Sequence, residues 1–133
     1  MEIQYKQKPW GREIWFAHNQ NYAGKILEVK KGHRLSLQYH EKKIETMYLH
    51  SGKIKMIFGK DVNTLEQKVL QAGQKFEIIP PTIHRVEALE DSEIFEVSTP
   101  ELDDIVKLED DYGRSGTGNN FSTDNQLHKQ NFS

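Results

Sequence analysis

Apolar residues recur along most of the chain in short runs with a period close to two, and turn residues separate the runs. The clearest runs lie at 26–29, 35–39, 46–49, 54–58, 76–79 and 94–97. Successive side chains of a strand point to opposite faces, so this period indicates strands with one buried face. Short strands at spacings of about 8–12 residues predict an all-β sandwich or barrel.

Helical periodicity is scarce, and its best candidate is the segment 100–112. The apolar residues of this segment that fall at mixed helical spacings are Leu102, Ile105, Val106 and Leu108. Asp103 and Asp104 suit a first helical turn, where acidic residues are favoured. We therefore expect one short helix or turn at the C-terminal end of the domain.

The composition changes after Gly113, where small and polar residues take over. The segment 115–133 carries too few apolar residues to form a core of its own. We expect residues 1–114 to form a single domain and residues 115–133 to be a disordered polar tail. Phe121, Leu127 and Phe132 are the tail residues suited to dock on a partner subunit.

Length and charge limit the function classes that fit. The chain has 133 residues, enough for one domain with one core, and a net charge of −2. A general nucleic-acid binder usually shows a basic excess, so we expect no nucleic-acid partner. No apolar run reaches the roughly 20 residues that span a bilayer, and residues 1–6 carry no apolar signal core. We expect a soluble, cytoplasmic protein without a membrane partner.

The chain contains no cysteine. Disulfides, zinc–thiolate sites and thiol nucleophiles are thereby excluded. The absence of cysteine also fits a reducing compartment. Any metal site has to be built from nitrogen and oxygen ligands.

Four polar residues form a candidate metal site. Gln38 and His40 are two positions apart, so on a strand they point to the same face. Glu45 follows after a polar break that can bring the next strand alongside, and His84 begins a strand after Pro80-Pro81. On spacing alone, His40 and His84 fit ordinary polar roles as well as they fit ligands. If the four meet, imidazole, carboxylate and amide oxygen suit Zn, Mn, Fe, Co or Ni and leave positions open for substrate.

Three other charged residues are candidate ligands for an anionic group. Arg114 can place a guanidinium at the mouth of a barrel, where it would match a phosphate group. Lys25 and Arg85 lie beside predicted core strands and are further candidates. Lys8 and Arg12 flank Trp10, and there we expect the indole to pack while the cations stay solvated.

The spacing of the candidate ligands resembles the first motif of the cupin superfamily, G-x5-H-x-H-x4-E-x6-G. The matching positions are Gly32, Gln38, His40, Glu45 and Gly52. Gln38 stands where the motif has its first histidine. Gly73, Pro80 and His84 approximate the second motif, with Thr82 in place of a glycine and one residue fewer. The resemblance implies a jelly-roll β-barrel with the metal site inside.

Within the cupins, the chain is similar to the cupin domain of type II mannose-6-phosphate isomerases over about residues 8–114. The segments that carry this similarity are 8–11 (KPWG), 35–40 (LSLQYH) and 104–114 (DIVKLEDDYGR). No Gly-rich phosphate loop of a nucleotidyltransferase domain is present, so that activity is not expected here. Similar stand-alone cupins act in nucleotide-sugar and surface-polysaccharide pathways.

The resemblance implies a metal-dependent isomerase of a phosphorylated or nucleotide-activated sugar, in polysaccharide or nucleotide-sugar metabolism. Two alternatives stay open: a metal-free epimerase, ketoisomerase or ring-form mutase of a nucleotide sugar, and a non-catalytic sugar-binding cupin. A homodimer is expected because cupin barrels often pair through their outer sheets.

The isomerase hypothesis requires a proton carrier that is not itself a metal ligand, with a pKa near the working pH. His33 and Glu77 are the candidates for this catalytic role. Lys25, Arg85 and Arg114 are the candidates for binding the anionic group of the sugar. The divalent metal would stabilise negative charge on the sugar oxygens.

Overall fold

The computed structural model describes residues 2–132, which form twelve strands and one helix. The strands are β1 (Gln4–Lys8), β2 (Gly11–His18), β3 (Ala23–Val29), β4 (Leu37–Tyr39), β5 (Glu45–Ser51), β6 (Lys53–Gly59), β7 (Glu66–Gln71), β8 (Lys75–Ile78), β9 (Ile83–Ala88), β10 (Ser92–Ser98), β11 (Val106–Glu109) and β12 (Gly116–Thr117). The helix is α1 (Phe121–Phe132). The prediction of an all-β fold is confirmed.

The strands form two six-stranded antiparallel sheets. One sheet has the order β1-β2-β3-β10-β5-β8, and the other has the order β12-β11-β4-β9-β6-β7. Both sheets contribute to one apolar core, which contains Leu27, Leu49 and Ile94 from the first sheet and Met56 and Val86 from the second. The core therefore lies between the two sheets, and each sheet turns one face towards it.

Alternation explains why these segments are strands. In β5, Glu45, Met47 and Leu49 are buried, while Tyr48 between them is 42% exposed. The turn from β5 to β6 depends on Gly52, whose φ is 90°. A Cβ at that position would lie 2.4 Å from the Asp91 carbonyl oxygen, so only glycine fits there.

Of the short helix or turn expected within 100–112, the structure has the turn, and the turn is followed by β11. Val106 of β11 pairs with Tyr39 of β4 and with Thr117 of β12. The short apolar run fitted either helical or strand periodicity. Pairing with β4 satisfies backbone groups that a helix would have left unpaired at the edge of that strand.

The expected disorder of residues 115–133 is also corrected over the described part of that tail. Residues 116–117 form β12, and residues 121–132 form α1, which packs beside β1. The contacts of α1 are mainly polar: His128 Nδ1 donates to the Lys8 carbonyl (2.9 Å), and Asn131 donates to the Pro9 carbonyl (2.7 Å). A count of apolar residues could not reveal a helix that is held by polar contacts.

Candidate metal centre

Three elements bring the candidate ligands together at one end of the barrel interior. His40 follows β4, Glu45 begins β5 and His84 lies in β9. The Asp104 carboxylate shapes the turn between the first two, because it accepts hydrogen bonds from the backbone N–H groups of residues 41–43. That turn returns the chain so that Glu45 lies beside His40.

Both imidazoles face the same carboxylate oxygen. Glu45 Oε1 lies 3.1 Å from His40 Nε2 and 3.2 Å from His84 Nε2. The two ring centroids are 5.0 Å apart, and each of the three residues is 2% exposed. Their potential ligand atoms all lie within 4.8 Å of one another, so these residues can hold one metal ion.

Hydrogen bonds at the far side of each ring fix the protonation pattern. His40 Nδ1 lies 2.6 Å from the Asp104 carbonyl oxygen, and His84 Nδ1 lies 2.9 Å from the Thr82 carbonyl oxygen. A carbonyl can only accept, so each Nδ1 carries the proton and each Nε2 of a neutral ring is a bare acceptor. Two bare nitrogens therefore face a carboxylate, and a divalent cation satisfies all three acceptors.

The electrostatics favour the ligand forms of these groups. Burial raises the pKa of Glu45, but the Lys43 ammonium and the neighbouring His40 and His84 rings outweigh it and hold the pKa well below its usual range. Burial lowers the pKa of His40, more than the adjacent carboxylate raises it. A deprotonated Glu45 and a neutral His40 at neutral pH are the states that bind metal.

Gln38 lies next to this trio. It pairs with His84 across β4 and β9, is 9% exposed and lines the same cavity. Its amide nitrogen points towards the Ser36 carbonyl at 3.5 Å. The role of its amide oxygen as a fourth ligand stays a prediction.

A row of buried charges of alternating sign continues from Glu45 along the cavity. The members of this charge row are, in spatial order, Lys43, Glu96, Lys25, Glu13, Lys8 and Asp124. Lys43 Nζ lies 3.2 Å from Glu45 Oε2 and 3.3 Å from Glu96 Oε2, so it bridges the candidate metal centre to the row. Each member is at most 7% exposed.

The neighbours of the two glutamates in the charge row give them opposite pKa shifts. Burial raises the pKa of Glu13, but Lys25 and Lys8 lower it more, and the pKa is about 2. Trp15 Nε1 also donates to Glu13 at 2.8 Å. For Glu96, burial and the nearby Glu45 carboxylate raise the pKa to about 7. Glu13 is therefore a permanent anion, whereas Glu96, which lies nearer the candidate metal centre, is a carboxyl with a pKa near neutrality.

The predicted anion-binding residues divide between the two faces of the sheets. Lys25 and Arg114 are buried and line the cavity with the candidate ligands. Arg85 alternates with His84 along β9 and therefore points away from the cavity, where it donates to the Leu35 carbonyl and pairs with Glu109. The structure does not bring Arg85 to the site.

Neither predicted proton carrier reaches the cavity. His33 Nδ1 lies 2.7 Å from the Tyr112 hydroxyl, and its ring contacts the rings of Tyr112 and Phe132. Glu77 alternates with the buried Ile78 in β8, so it is exposed and pairs with Lys75. The chemical type of the two residues suits a proton carrier, but the strand phase of Glu77 places its side chain on the outside.

The sequence prediction missed several residues that line the cavity: Lys8, Glu13, Lys43, Glu96, Lys107 and Asn119. It also missed Asp124, which pairs with Lys8 beside the cavity. Lys8 was expected to stay solvated but is 5% exposed. The available signal was strand phase: Glu96 is two residues from the buried Ile94, and Lys43 is two residues from Glu45. A charged residue in phase with the apolar positions of a strand points inwards.

Comparisons with known proteins agree with this architecture. Residues 2–110 match the family model for the mannose-6-phosphate isomerase C-terminal region. No curated protein sequence matches the chain. Within residues 2–132, no helix is long and apolar enough to cross a membrane.

Solved structures with the same fold include three proteins of low sequence identity. CapF from Staphylococcus aureus has a TM-score of 0.67 at 19% identity over 80% of this chain and 34% of that chain. KdgF from Halomonas sp. has a TM-score of 0.63 at 20% identity, over 76% of this chain and 87% of that chain. Bacillus subtilis oxalate decarboxylase has a TM-score of 0.71 at 15% identity, over 80% of this chain and 30% of that chain. This chain thus spans about a third of CapF and of the decarboxylase.

Proposed function

The chain belongs to the mannose-6-phosphate isomerase C-terminal family of cupins, and from this membership we propose that it is a metal-dependent isomerase of a phosphorylated or nucleotide-activated sugar. The observation that carries the proposal is the meeting of His40 Nε2 and His84 Nε2 at one oxygen of Glu45. The cavity around them is lined by buried cations, which suit an anionic substrate.

His40, Glu45 and His84 hold the metal in this proposal, with Gln38 as the fourth ligand. A bound divalent metal would act as a Lewis acid for the sugar oxygens that gain negative charge. Zn, Mn, Fe, Co and Ni all suit two imidazoles and a carboxylate. Manganese has a precedent in the Mn(II) centres named for the fold relative oxalate decarboxylase.

The protein residues then bind and orient the sugar and move the proton. An aldose–ketose isomerisation transfers a proton between adjacent carbon atoms. Since His33 and Glu77 lie outside the cavity, the carrier has to be one of the groups that line it. Glu96 is the cavity carboxylate nearest the proposed metal ligands that is not itself one, because Lys43 alone separates it from Glu45.

The choice of a sugar pathway draws on the family and on one fold relative. CapF is described as a capsular polysaccharide assembling protein. We extend this context to the present chain as polysaccharide or nucleotide-sugar metabolism. The homodimer and the cytoplasmic location stay predictions, and the exposed Tyr48 and Val97 on the outer face of the first sheet are where we would look for a dimer contact.

The test combines metal analysis with turnover. The purified protein is stripped with a chelator, reloaded separately with each of the five metals and assayed on mannose 6-phosphate and a panel of nucleotide sugars. We expect a His40→Ala, His84→Ala double variant to lose the metal and about 10³-fold or more of kcat/KM, because Lewis-acid stabilisation contributes several kcal/mol. His50→Ala, an exposed histidine of β5, is the matched control and should behave as the wild type. Full turnover by the double variant would overturn the proposal.

A further inference from the structure

Three cations at one end of the cavity are held by oxygens of the C-terminal segment. Lys8, Lys107 and Arg114 all line the cavity that contains the candidate metal centre. We name residues 118–132 the strap. Lys107 Nζ donates to the Gly118 carbonyl (2.7 Å) and to Asn120 Oδ1 (3.1 Å). Lys8 and Arg114 pair with Asp124 of the strap, so each of the three cations contacts the strap.

Asp124 divides its carboxylate between these two cations. Its Oδ2 accepts from Lys8 Nζ at 2.8 Å, and its Oδ1 accepts from an Arg114 guanidinium nitrogen at 3.3 Å. Asp124 is 1% exposed. A phosphate group or a sugar carboxylate presents oxygens in the same way, and arginine and lysine are the usual ligands of such groups.

The cations are crowded enough to require an anion. Burial lowers the pKa of the Lys107 ammonium, and the neighbouring Arg114 and Lys8 lower it further. The nearest other carboxylates are already engaged: Asp110 with Arg114 at 2.7 Å, and Glu13 with Lys25 at 3.1 Å. Removing Asp124 would leave a cationic cluster inside the cavity with an unpaired positive charge.

The strap is attached to the barrel weakly, apart from this carboxylate. Within α1, Asp124 is the one buried residue. Phe121, whose ring lies 5.8 Å from that of Trp15, is still 36% exposed. Phe132 is half-buried, and its ring lies 5.3 Å from that of His33. The ammonium groups of Lys6 and Lys8 lie over the Phe121 ring, and His128 and Asn131 donate hydrogen bonds to backbone carbonyls of residues 8 and 9. A helix that buries little apolar surface can detach at small cost.

The cavity is too small for a sugar while the strap is in place. Its volume is about 40 Å³, whereas small-molecule sites usually measure about 300–1,000 Å³. The strap residue Asn119 lines the cavity, and Asp124 fills the gap between Lys8 and Arg114. Moving the strap away would remove Asn119 from the cavity wall and Asp124 from its contacts with Lys8 and Arg114, and this would expose the three cations.

We propose that Lys8, Lys107 and Arg114 form an anion subsite for the phosphate of the substrate, and that the Asp124 carboxylate occupies this subsite as a built-in competitor until the strap detaches. The identity of the ligand as a sugar phosphate rests on the proposed function. The subsite and its competitor rest on the contacts of Asp124.

Binding of inorganic phosphate to the full chain tests the subsite directly. Calorimetry in the presence of a chelator keeps metal from contributing to phosphate binding. If the strap is closed about nine-tenths of the time, Asp124→Asn should tighten phosphate binding about tenfold, because the apparent affinity scales with the open fraction. Asn125→Ala, at the next and exposed position of α1, should bind phosphate as the wild type does.

A second variant locates the bound phosphate. Lys107→Met, added to Asp124→Asn, should remove the tenfold gain, since it deletes one cation of the subsite while leaving the pairs of the other two with Glu13 and Asp110. Thermal melts confirm that each variant is folded. An Asp124→Asn protein that binds phosphate no more tightly than Asn125→Ala, or a gain that survives Lys107→Met, would overturn the proposal.

Hydrogen exchange of the wild type supplies an independent readout. Ligands commonly slow exchange, but phosphate should accelerate exchange of the α1 amides because it displaces the strap. Unchanged or slower exchange in α1 at saturating phosphate would count against displacement. These measurements do not depend on turnover. A gain in phosphate affinity without isomerase activity would support the subsite and contradict the proposed isomerase function. Isomerase activity without the gain would support the function and contradict the subsite.

Discussion

The two ends of the barrel interior are built from the same strands but have opposite chemical character. At one end, β3, β5, β9 and β10 contribute the charged or polar residues Lys25, Glu45, His84 and Glu96. At the other end, these strands contribute apolar residues two or four positions away in sequence, with side chains that also point inwards. These residues are Leu27, Met47, Leu49, Val86, Ala88 and Ile94. The division follows position along the strand, since every one of these side chains shares the inward phase.

This comparison separates stability from chemistry. The apolar end resembles the core of any small domain and supplies the burial that drives folding. The charged end carries buried groups whose desolvation is costly and is offset only while each charge keeps its partner. Substitutions at the two ends should therefore fail in different ways, even when they lie on one strand.

The largest effect is expected at Lys43, the cation between Glu45 and Glu96. Lys43→Ala leaves two buried carboxylates without their shared partner, and breaking a buried pair in this way costs about 3–5 kcal/mol. Urea unfolding of the chelator-treated protein measures the loss. The exposed neighbour provides the control, because Lys42→Ala should change the free energy of unfolding by less than about 0.5 kcal/mol. Equal stability of the two variants would mean that the charged end is not held by ion pairing.

The next effect is expected at the apolar end of the same strand. Leu49→Ala should lower the free energy of unfolding by about 3 kcal/mol, because Leu49 is 1% exposed and lies in the main core. Metal affinity of the folded variant should be unchanged. A Leu49→Ala protein that also loses metal would show that the two ends are not independent.

Glu45→Gln, in contrast to Leu49→Ala, should lower the metal affinity. The amide keeps the size of the side chain but removes the charge that faces both imidazoles. We expect the affinity for Mn or Zn to fall at least about 100-fold, the upper end of what losing an outer partner of a metal site costs. Competition with a chromogenic chelator measures the affinity. Wild-type affinity in this variant would exclude Glu45 from the ligand set.

The smallest of these effects is the acid dependence that Glu13 contributes. Its pKa of about 2 lies below the ordinary value of 4.5, so its stabilisation is complete above about pH 4.5 and is lost as the pH falls towards 2. Between pH 5 and 2.5, wild type should lose about 2 kcal/mol more than Glu13→Gln does. Glu28→Gln, which breaks the more exposed pair with Arg12, should follow the wild-type curve within about 0.5 kcal/mol. Parallel curves for wild type and Glu13→Gln would contradict the assignment.

Much of the fold was accessible from the sequence because strand alternation is a local property. Six of the strands follow from apolar runs, and the candidate ligands follow from the spacing of Gln38, His40 and Glu45 within one short segment. His84 could be assigned as a ligand only from the second cupin motif, because it lies about 40 residues from the other candidate ligands in the sequence. The structure pairs it with Gln38 across two strands that are distant in sequence.

The charge row and the strap were not accessible in the same way. Glu13, Lys25 and Glu96 lie on three strands, and their partners are set by sheet order, which the apolar pattern does not contain. The expectation that charges stay in water also argued against burying them. Asp124 meets Lys8 across 116 positions of the chain, so no local pattern could indicate that the polar tail would form a helix there.

The support of the two imidazoles by main-chain oxygens has a consequence for how this protein can evolve. Because the carbonyl groups of Thr82 and Asp104 orient the rings, the side chain at position 82 is free to drift without turning a ligand. Position 104 lacks that freedom, since its carboxylate also anchors the turn at residues 41–43, between His40 and Glu45. Natural variants of this protein should therefore be permissive at one of these supports and intolerant at the other, even though both perform the same task for the neighbouring histidine.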